Sequence, residues 1–181
     1  MKKISTLFKK DPNDLGLVIN EIDPANEWAI TEGVPTRKFD GSACAIIKGE
    51  LYRRYDAKKG KQPPAGAIPC QEPDLITGHW PHWVKCKQGN PVDKYFLEAF
   101  EGLANKIDGT YELCGEKVQS NPEHLTGHVL IKHGEEKLYI PDYSFEGLRQ
   151  FLEAHDIEGI VWHHPDGRMC KLRKGDFRIK R

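Results

Sequence analysis

Segments with the pattern of β-strands outnumber helical segments in this sequence, and the two kinds do not alternate along the chain. Apolar residues recur at the 3.6-residue spacing of amphipathic helices in residues 92–106 and 145–155, each preceded by a candidate cap, Asn90 or Ser144. Because a parallel sheet needs a helix between successive strands, this order favours an α+β fold with antiparallel sheets. The predicted strands are a hairpin at 43–55 that turns at 48–50, and residues 110–114, 128–132, 137–140, 157–162 and 168–173.

Three further segments are predicted to be irregular. Residues 60–75 contain four prolines and read as a loop, and residues 121–123 read as a turn with a helix start. Residues 79–84 (HWPHWV) are interpreted as a packed aromatic loop, because tryptophans bury large areas while needing polar partners. The histidines of this segment, with Cys70 and Cys86, match no common structural zinc spacing, so we expect packing rather than zinc binding.

The length of 181 residues suits one domain with a substantial core, and we expect a single domain over residues 1–181. Hydrophobic residues make up 38% of the chain and charged residues 30%, as in globular proteins. No apolar run approaches the roughly 18 residues of a membrane span, and the N-terminus lacks the apolar stretch of a signal peptide. We expect a cytoplasmic protein without membrane contact, whose five cysteines are free and mostly buried.

Positive charge is concentrated in two parts of a chain whose formal net charge is zero. Residues 48–61 contain six lysines and arginines, and residues 168–181 contain seven together with one acidic residue, Asp176. Either stretch alone is what a solvated loop would show. Together, in a neutral protein, they indicate a localised site for an anion.

Four short segments carry residues that suit one chemistry. A lysine becomes a nucleophile only when deprotonated, and nearby cations or burial favour that state. Such cations would come from Arg54, Lys171 and Arg173, and the same side chains would also bind a triphosphate. The segments are residues 38–42 (KFDGS), entering a strand; residues 53–54; residues 111–116 (YELCGE); and residues 158–162 (EGIVW) followed by 171–174 (KLRK).

Three carboxylates in the same segments suit a divalent metal ion. Asp40, Glu112 and Glu158 lie on different predicted strands, and if they converge they would hold Mg²⁺ or Mn²⁺ through its water shell. Such an ion would offset the negative charge that collects on an α-phosphate during attack by a lysine. Gly41 and Gly159 permit close approach of the backbone to a ligand.

These motifs resemble those of the covalent nucleotidyltransferase superfamily, which includes ATP-dependent DNA and RNA ligases and mRNA capping enzymes. The resemblance is closest to the compact RNA ligases typified by the vertebrate 5′-phosphate/3′-hydroxyl RNA ligase. It rests on the runs KFDGSA, PDLITGHWPHWV, GTYELCGEKVQSNPE, EGIVWHHPDG and KLRKGDF, within residues 34–177. The resemblance implies an ATP-grasp-like nucleotidyltransferase domain of antiparallel sheets with flanking helices.

The resemblance also implies roles for individual residues. Lys38 would take AMP from ATP, and Asp40 would place the metal waters, with Gly41 beside it in the nucleotide site. Arg54 would contact the nucleotide and then the RNA phosphate, and Glu112 would form a hydrogen bond to the ribose or the metal waters. Glu158 would be the main metal carboxylate, and Ile160 or Val161 would make an apolar contact with adenine. Lys171 and Arg173 would bind the α-phosphate and the pyrophosphate.

The chain departs from the family pattern in three places. The second basic position of the last motif, usually lysine, is Arg173, which keeps the charge but changes its geometry. No residue of 128–132 matches the aromatic residue that often stacks on adenine in the family. Few residues follow Lys174, so no OB-fold is expected, which argues against a replicative DNA ligase or a capping enzyme.

We therefore expect an RNA ligase that uses ATP as AMP donor and Mg²⁺ or Mn²⁺ to join 5′-phosphate and 3′-hydroxyl RNA ends in RNA repair. The alternatives are a minimal ATP-dependent DNA ligase, a nucleotidyltransferase that modifies proteins or small molecules, and a non-catalytic nucleic-acid-binding module. The sequence leaves open the physiological RNA, the preference for nicks or free ends, and the oligomeric state. A compact chain of this kind would suit a viral or bacterial repair gene.

Overall fold

The computed structural model describes residues 2–75 and 77–181. Ile76, which belongs to one of the sequence runs quoted above, lies outside the described residues. The chain forms two compact units. The central unit comprises Asp40–His133 with the N-terminal residues up to Lys3, and the flanking unit comprises Ile4–Phe39 and Gly134–Arg181. The expectation of a single domain over residues 1–181 stays a prediction.

The regular structure of the described residues is dominated by strands. The strands are β1 (Ser5–Thr6), β2 (Phe8–Lys10), β3 (Val18–Ile22), β4 (Val34–Lys38), β5 (Ser42–Ile47), β6 (Glu50–Ala57), β7 (Ile68–Pro69), β8 (Trp80–Lys85), β9 (Gly109–Gly115), β10 (His128–Lys132), β11 (Gly159–His163) and β12 (Met169–Arg173). The α-helices are α1 (Trp28–Thr31), α2 (Lys94–Glu101) and α3 (Phe145–Ala154), and 3₁₀ turns form at Pro24–Asn26, Pro91–Asp93 and Lys174–Phe177.

The flanking unit contains a four-stranded sheet in the order β1-β12-β11-β4 and the two-stranded sheet β2-β3. β11 pairs antiparallel with both β12 and β4, whereas β1 joins β12 in parallel. Ile160 and Trp162 of β11 and Leu172 of β12 are fully buried and share one core with Leu148 and Leu152 of α3. Because side chains alternate between the two faces of a strand, the opposite face of this sheet carries the intervening residues.

The central unit is built on a six-stranded antiparallel sheet in the order β10-β9-β5-β6-β8-β7. Helix α2 contacts β10, β9 and β6, and its residues Phe96 and Ala99 are buried in a core with Ile46, Tyr111 and Leu130. The β5–β6 hairpin places consecutive strands side by side without a crossover. Because consecutive strands can pair in this way without a helix between them, helical and strand segments do not alternate in the sequence.

The turn of the β5–β6 hairpin shows how local sequence sets the register. Lys48 and Gly49 have positive φ values of 53° and 75°, which matches the two-residue turns that fit the twist of paired strands. The carboxylate of Asp108 accepts hydrogen bonds from both of their N–H groups, at 2.6 and 3.0 Å. These bonds lower the pKa of Asp108 and hold the turn in place.

Most of the predicted elements are confirmed. The α+β fold with antiparallel sheets, the 43–55 hairpin, and the strands at 110–114, 128–132, 157–162 and 168–173 are present, with ends shifted by at most two residues. Ser144 caps α3 by accepting a hydrogen bond from the N–H of Gly147, and Asn90 accepts one from the N–H of Val92. All five cysteines are free, and four of them are buried. None of the helices formed by the described residues is both long and apolar enough to cross a membrane.

Several predicted boundaries and elements are wrong. Residues 137–140 form no strand, because Lys137 makes only an isolated bridge to Thr36. Residues 80–85 form the strand β8 rather than an aromatic loop, and residues 121–123 form a turn without a helix. The helix predicted for 92–106 ends at Glu101, since Gly102 disfavours its continuation. Residues 38–42 lead into β5 as predicted, but Lys38 itself is the last residue of β4, a strand that was not predicted.

Candidate functional site

Lys38 stands at the end of β4 in a row that crosses three strands of the flanking unit. Its register partner on β11 is Gly159, and the partner of Gly159 on β12 is Arg173. Residues in one such row project to the same face of a sheet, and two strand spacings place Lys38 and Arg173 about 10 Å apart at their Cα atoms. Lys171, two residues before Arg173, projects to this face as well. The sheet itself therefore brings together three of the predicted site residues.

Glu158, which immediately precedes β11, binds the nucleophile candidate directly. The amine of Lys38 donates a hydrogen bond to the Glu158 carboxylate and is also 3.4 Å from the carbonyl oxygen of Phe39. The side chains of the pair keep 23% and 22% of their surface exposed, so both groups remain reachable by a small ligand. The backbone carbonyl of Glu158 accepts a hydrogen bond from the N–H of Lys174, which fixes its place beside the end of β12.

The two basic residues of β12 differ in their electrostatic surroundings. The pKa of Lys171 is lowered to about 8, mainly by burial and also by the nearby charges of Arg173 and Lys38, against the opposite effect of Asp176 and Glu158. Arg173 is anchored instead, because a hydrogen bond from its guanidinium to Asp176 raises its pKa. At neutral pH both side chains carry most of their positive charge, so this face of the sheet attracts an anion.

Ile160 and Val161 lie on opposite faces of β11. Ile160 is fully buried in the hydrophobic core of the flanking unit. Val161 has Lys171 as its register partner on β12 and shares the face of Lys38. Its exposed fraction is 9%, whereas that of Ile160 is 0%. The placement favours Val161 over Ile160 as an apolar contact for a bound base.

Gly159 is required by the close approach of the neighbouring strand. A Cβ atom at this position would lie 2.3 Å from the carbonyl oxygen of Leu172 and 2.9 Å from the Cα of Arg173. Any side chain would push β11 and β12 apart. The glycine therefore serves the packing of the sheet that carries the site, which differs from the ligand approach inferred from the sequence.

In the central unit, Asp40 is held by Glu123, in the segment that follows β9, and Gly41 packs against β9 itself. The carboxylate of Glu123 accepts a hydrogen bond of 2.9 Å from the N–H of Asp40. Gly41 lies so close to β9 that a Cβ atom would be 2.2 Å from the carbonyl oxygen of Leu113 and 2.9 Å from the Cγ of Glu112. The stretch that follows Lys38 in the chain is thus fixed by specific contacts to β9 and to Glu123.

The segment that carries Glu123 is strained. Four of its non-glycine residues have positive φ values, a region that costs L-residues free energy and is frequent at functional sites. The Asn121 side chain accepts from the N–H of Leu125 and donates to its carbonyl oxygen, which stabilises the unusual backbone. The four residues are Gln119, Ser120, Asn121 and His124, with φ of 48°, 63°, 56° and 53°.

Glu112 on β9 is bonded to a histidine that the sequence analysis did not identify. Its carboxylate is 2.9 Å from Nε2 of His133, whose Nδ1 is 3.0 Å from the hydroxyl of Thr110. Thr110 and Glu112 lie two residues apart on β9 and so share a face. The sequence carried no signal for this bond, because His133 comes to lie across from Thr110 only through the register of the β9–β10 pairing.

Arg54 lies in a second register row, which crosses β6, β5 and β9 and ends at Glu112. Cys44 pairs with Arg53 and Ala43 pairs with Glu112, so one further step in register aligns Arg54 with Ala43 and Glu112. The Arg54 guanidinium donates to Asp56 at 3.2 Å. It also lines a cavity of about 190 Å³ with Lys3, Asp56, Gln71, Thr77, His79 and Pro81. Arg54 and Glu112 therefore project to one face of the central sheet.

The predicted site residues thus fall into one group in each unit. Glu158, Lys171 and Arg173 surround Lys38 in the flanking unit, and Asp40, Gly41, Glu112 and Arg54 belong to the central unit. Among residues 2–75 and 77–181, no three His, Cys, Asp or Glu side chains form a group that could hold a metal ion by themselves. The metal ligands and the nucleotide contacts remain predictions.

Comparison with known proteins gives two relatives with the same name. RNA ligase 1 of Pongo abelii is 25% identical over an alignment of 218 positions, which covers 80% of this chain and 67% of that protein. RNA ligase 1 of Danio rerio is 33% identical over 87 residues, which cover 43% of this chain and 27% of that protein. The chain is related to RNA ligase-like proteins. No protein-family profile matches it.

Proposed function

We propose that this protein is an ATP-dependent RNA ligase that forms a covalent lysyl-AMP at Lys38 and seals 5′-phosphate to 3′-hydroxyl RNA ends in RNA repair. The observation that carries the proposal is the arrangement at the end of β4. There an amine, bonded to the Glu158 carboxylate, shares one sheet face with the cations of Lys171 and Arg173. The relation to proteins named RNA ligase 1 supports the same reaction class.

In the first step, the Nζ lone pair of Lys38 attacks the α-phosphorus of ATP. A phosphorus–nitrogen bond forms, the bond from the α-phosphorus to the oxygen that bridges it to the β-phosphate breaks, and pyrophosphate leaves. The amine must first give its extra proton to solvent and leave Glu158, since an ammonium has no free lone pair. As the phosphorus–nitrogen bond forms, the nitrogen releases a second proton to solvent.

Lys171 and Arg173 would bind the phosphates during this step. Negative charge accumulates on the α-phosphate oxygens and on the leaving pyrophosphate, and fixed cations stabilise it without reorganisation. Arg173 is held in place by Asp176, and Lys171 is partly buried beside it. Val161, which shares this face, would supply an apolar contact for the base.

Glu158 in the flanking unit, and Asp40 and Glu112 in the central unit, would each contribute to holding Mg²⁺ or Mn²⁺, which prefer carboxylate oxygens and bound water. When bound, such an ion would neutralise charge on the phosphates. Arg54 would contact the nucleotide and then the 5′-phosphate of the RNA. Asp40 lies two residues after Lys38 in the chain, and its backbone is fixed by Glu123.

The remaining steps transfer and release AMP. An oxygen of the RNA 5′-phosphate attacks the phosphorus of lysyl-AMP, the phosphorus–nitrogen bond breaks, and Lys38 recovers its amine. A 3′-hydroxyl oxygen then attacks the 5′-phosphorus of the adenylylated end, and AMP leaves as the phosphodiester forms. Both steps depend on positioning and on charge stabilisation by the groups already named.

The test is covalent labelling with ATP that carries ³²P at the α-phosphate. With Mg²⁺ present, the wild-type chain should retain label on a denaturing gel, and Lys38→Ala should retain none. Lys180→Ala, which removes an exposed lysine of the same unit, is the matched control and should label normally. Label that persists in Lys38→Ala, or none on the wild-type chain, would exclude the proposed mechanism.

The substrate is tested with the same protein on matched RNA and DNA. Oligonucleotides of one sequence, with 5′-phosphate and 3′-hydroxyl ends, are supplied as RNA and as DNA, at nicks and as free ends. RNA joining that needs ATP supports the proposal. Joining of DNA alone would instead indicate a DNA ligase.

A further inference from the structure

Asp176, in the 3₁₀ turn after β12, is a charged side chain with no exposed surface. It has no assigned role in the reaction proposed above. An isolated carboxylate in this position would be strongly destabilising, because burial removes its hydration. The contacts of Asp176 therefore decide what this residue does.

The Asp176 carboxylate bonds two cations and one backbone group. Its Oδ1 accepts from Nη2 of Arg173 at 2.9 Å and from the Lys10 amine at 2.8 Å. Its Oδ2 accepts from the backbone N–H of Arg173 at 2.8 Å and lies 3.5 Å from Nε of the same residue. Asp176 thus accepts hydrogen bonds from both the backbone and the guanidinium of Arg173, while Lys10 on β2 donates to the same carboxylate.

These contacts favour the charged forms of Asp176 and Arg173. Burial alone would raise the pKa of Asp176, but its bonds with Arg173 and Lys10 lower it below the ordinary value. The bond to Asp176 in turn raises the pKa of Arg173. Two cations on one carboxylate leave the group of three with a net positive charge. The surplus charge lies at the end of β12, on the strand that also carries Lys171.

Arg173 remains available to a ligand despite these bonds. Its side chain keeps 39% of its surface exposed, whereas that of Asp176 keeps none. A guanidinium has five N–H donors in a planar fork, so it can bond Asp176 along one edge and present the other. An ammonium at this position would be a compact charge drawn to Asp176, without a second rigid edge.

We propose that Asp176 is a positioning residue that aims the free edge of Arg173 at the phosphates of ATP. This inference rests on the proposed function. A purely structural alternative exists, in which Asp176 serves only to tie β2 to β12 through Lys10. The two readings differ in what the loss of each partner of Asp176 does to ATP binding.

The experiment compares Asp176→Asn, Lys10→Met and Arg173→Lys in the full chain. For each variant, the rate of lysyl-AMP formation is measured against ATP concentration, and thermal unfolding is recorded separately. Lys10→Met is the matched control, because it removes a bond to the same carboxylate but leaves Arg173 held. Wild-type labelling reports on the proposed function itself, so its failure is distinct from failure of the inference.

Asp176→Asn should raise the KM for ATP roughly tenfold, since a charge-assisted bond that fixes the guanidinium is weakened. Arg173→Lys should raise it similarly. Lys10→Met should lower the unfolding temperature but leave the KM within about twofold of the wild type. Equal KM changes in Asp176→Asn and Lys10→Met, or a wild-type KM in Asp176→Asn, would overturn the inference. Where Asp176→Asn does not fold, Arg173→Lys decides, and an unchanged KM in that variant overturns the inference as well.

Discussion

At the scale of single residues, Glu123 illustrates how one side chain can set the geometry of a neighbouring motif. Its carboxylate accepts the N–H of Asp40, two residues beyond Lys38, from a segment with positive φ values. A backbone held in this way loses less freedom when a nucleotide binds. We therefore expect the bond to matter more for the rate of adenylylation than for overall stability.

Glu123→Ala should slow lysyl-AMP formation by about tenfold at saturating ATP, because the lost bond to a charged acceptor is worth about 1.5–3 kcal/mol. Glu123→Gln keeps an acceptor oxygen and should recover most of the rate. Glu116→Ala, which alters an exposed carboxylate of the same segment, is the control and should behave like the wild type. A normal rate in Glu123→Ala would show that the bond is dispensable.

The residues of the site were predictable to different degrees. Lys38, Glu158, Lys171 and Arg173 could be found because each stands in a recognisable motif. His133 and Glu123 could not be assigned a bond, because their partners depend on strand register and on loop backbone rather than on local sequence. The choice between neighbouring residues 160 and 161 also depended on register, since a shift of one residue exchanges the two faces of a strand.

At the scale of elements, β11 determines the spacing of the charged groups in the flanking unit. It lies between β4 and β12, so the distance from Lys38 to Arg173 depends on how closely both neighbours approach Gly159. Gly159→Ala would place a Cβ 2.3 Å from a backbone carbonyl that no side-chain rotation can relieve. The strands would have to separate at the site.

Gly159→Ala should destabilise the protein by about 1–3 kcal/mol, the usual cost of an overpacked interior. It should also reduce lysyl-AMP formation in the fraction that remains folded. Gly175→Ala is the control, because a Cβ there meets nothing within 4 Å. Thermal unfolding and labelling at a temperature below both transitions measure the two effects. A Gly159→Ala variant as stable as Gly175→Ala would contradict the expected clash.

Elements with strong local signals were predicted well, and those that depend on distant partners were not. Helix α3 could be found from its apolar spacing and from the cap at Ser144. The strands β1 to β4 were not predicted at all, since each gains its identity from pairing with other strands and not from a strong local pattern. Residues 137–140 have a strand-like composition, but they form only one isolated bridge, between Lys137 and Thr36.

At the scale of the whole molecule, the balance of charge hides an uneven distribution. The formal net charge is zero, yet in each unit two charged residues stand on the outer strands of a three-strand row, with an uncharged residue between them. Composition alone gave no indication of an anionic partner. The sheet register adds which of the charged residues share a face, and their positions in the sequence did not show this.

The stability of the whole chain should depend on pH through His164. A hydrogen bond with Glu32 is the main cause of its raised pKa, and a further bond with Asp166 adds to it against burial and the charge of Arg168. Protonated His164 is thus favoured in the folded state. Its contribution to stability is fully present below the ordinary histidine pKa of about 6.5, and it is lost as the pH rises through the folded value.

The unfolding temperature of the wild type should therefore exceed that of His164→Asn by more at pH 5.5 than at pH 8.5. Asp166 stays ionised over this range, because its pKa is held at about 2 by bonds to Arg168 and His164. The other histidines are present in both proteins, so the difference between the two unfolding curves isolates His164. A difference that is constant or grows with pH would show that the protonated ring is not favoured by folding, and that Glu32 and Asp166 stabilise the chain through other partners.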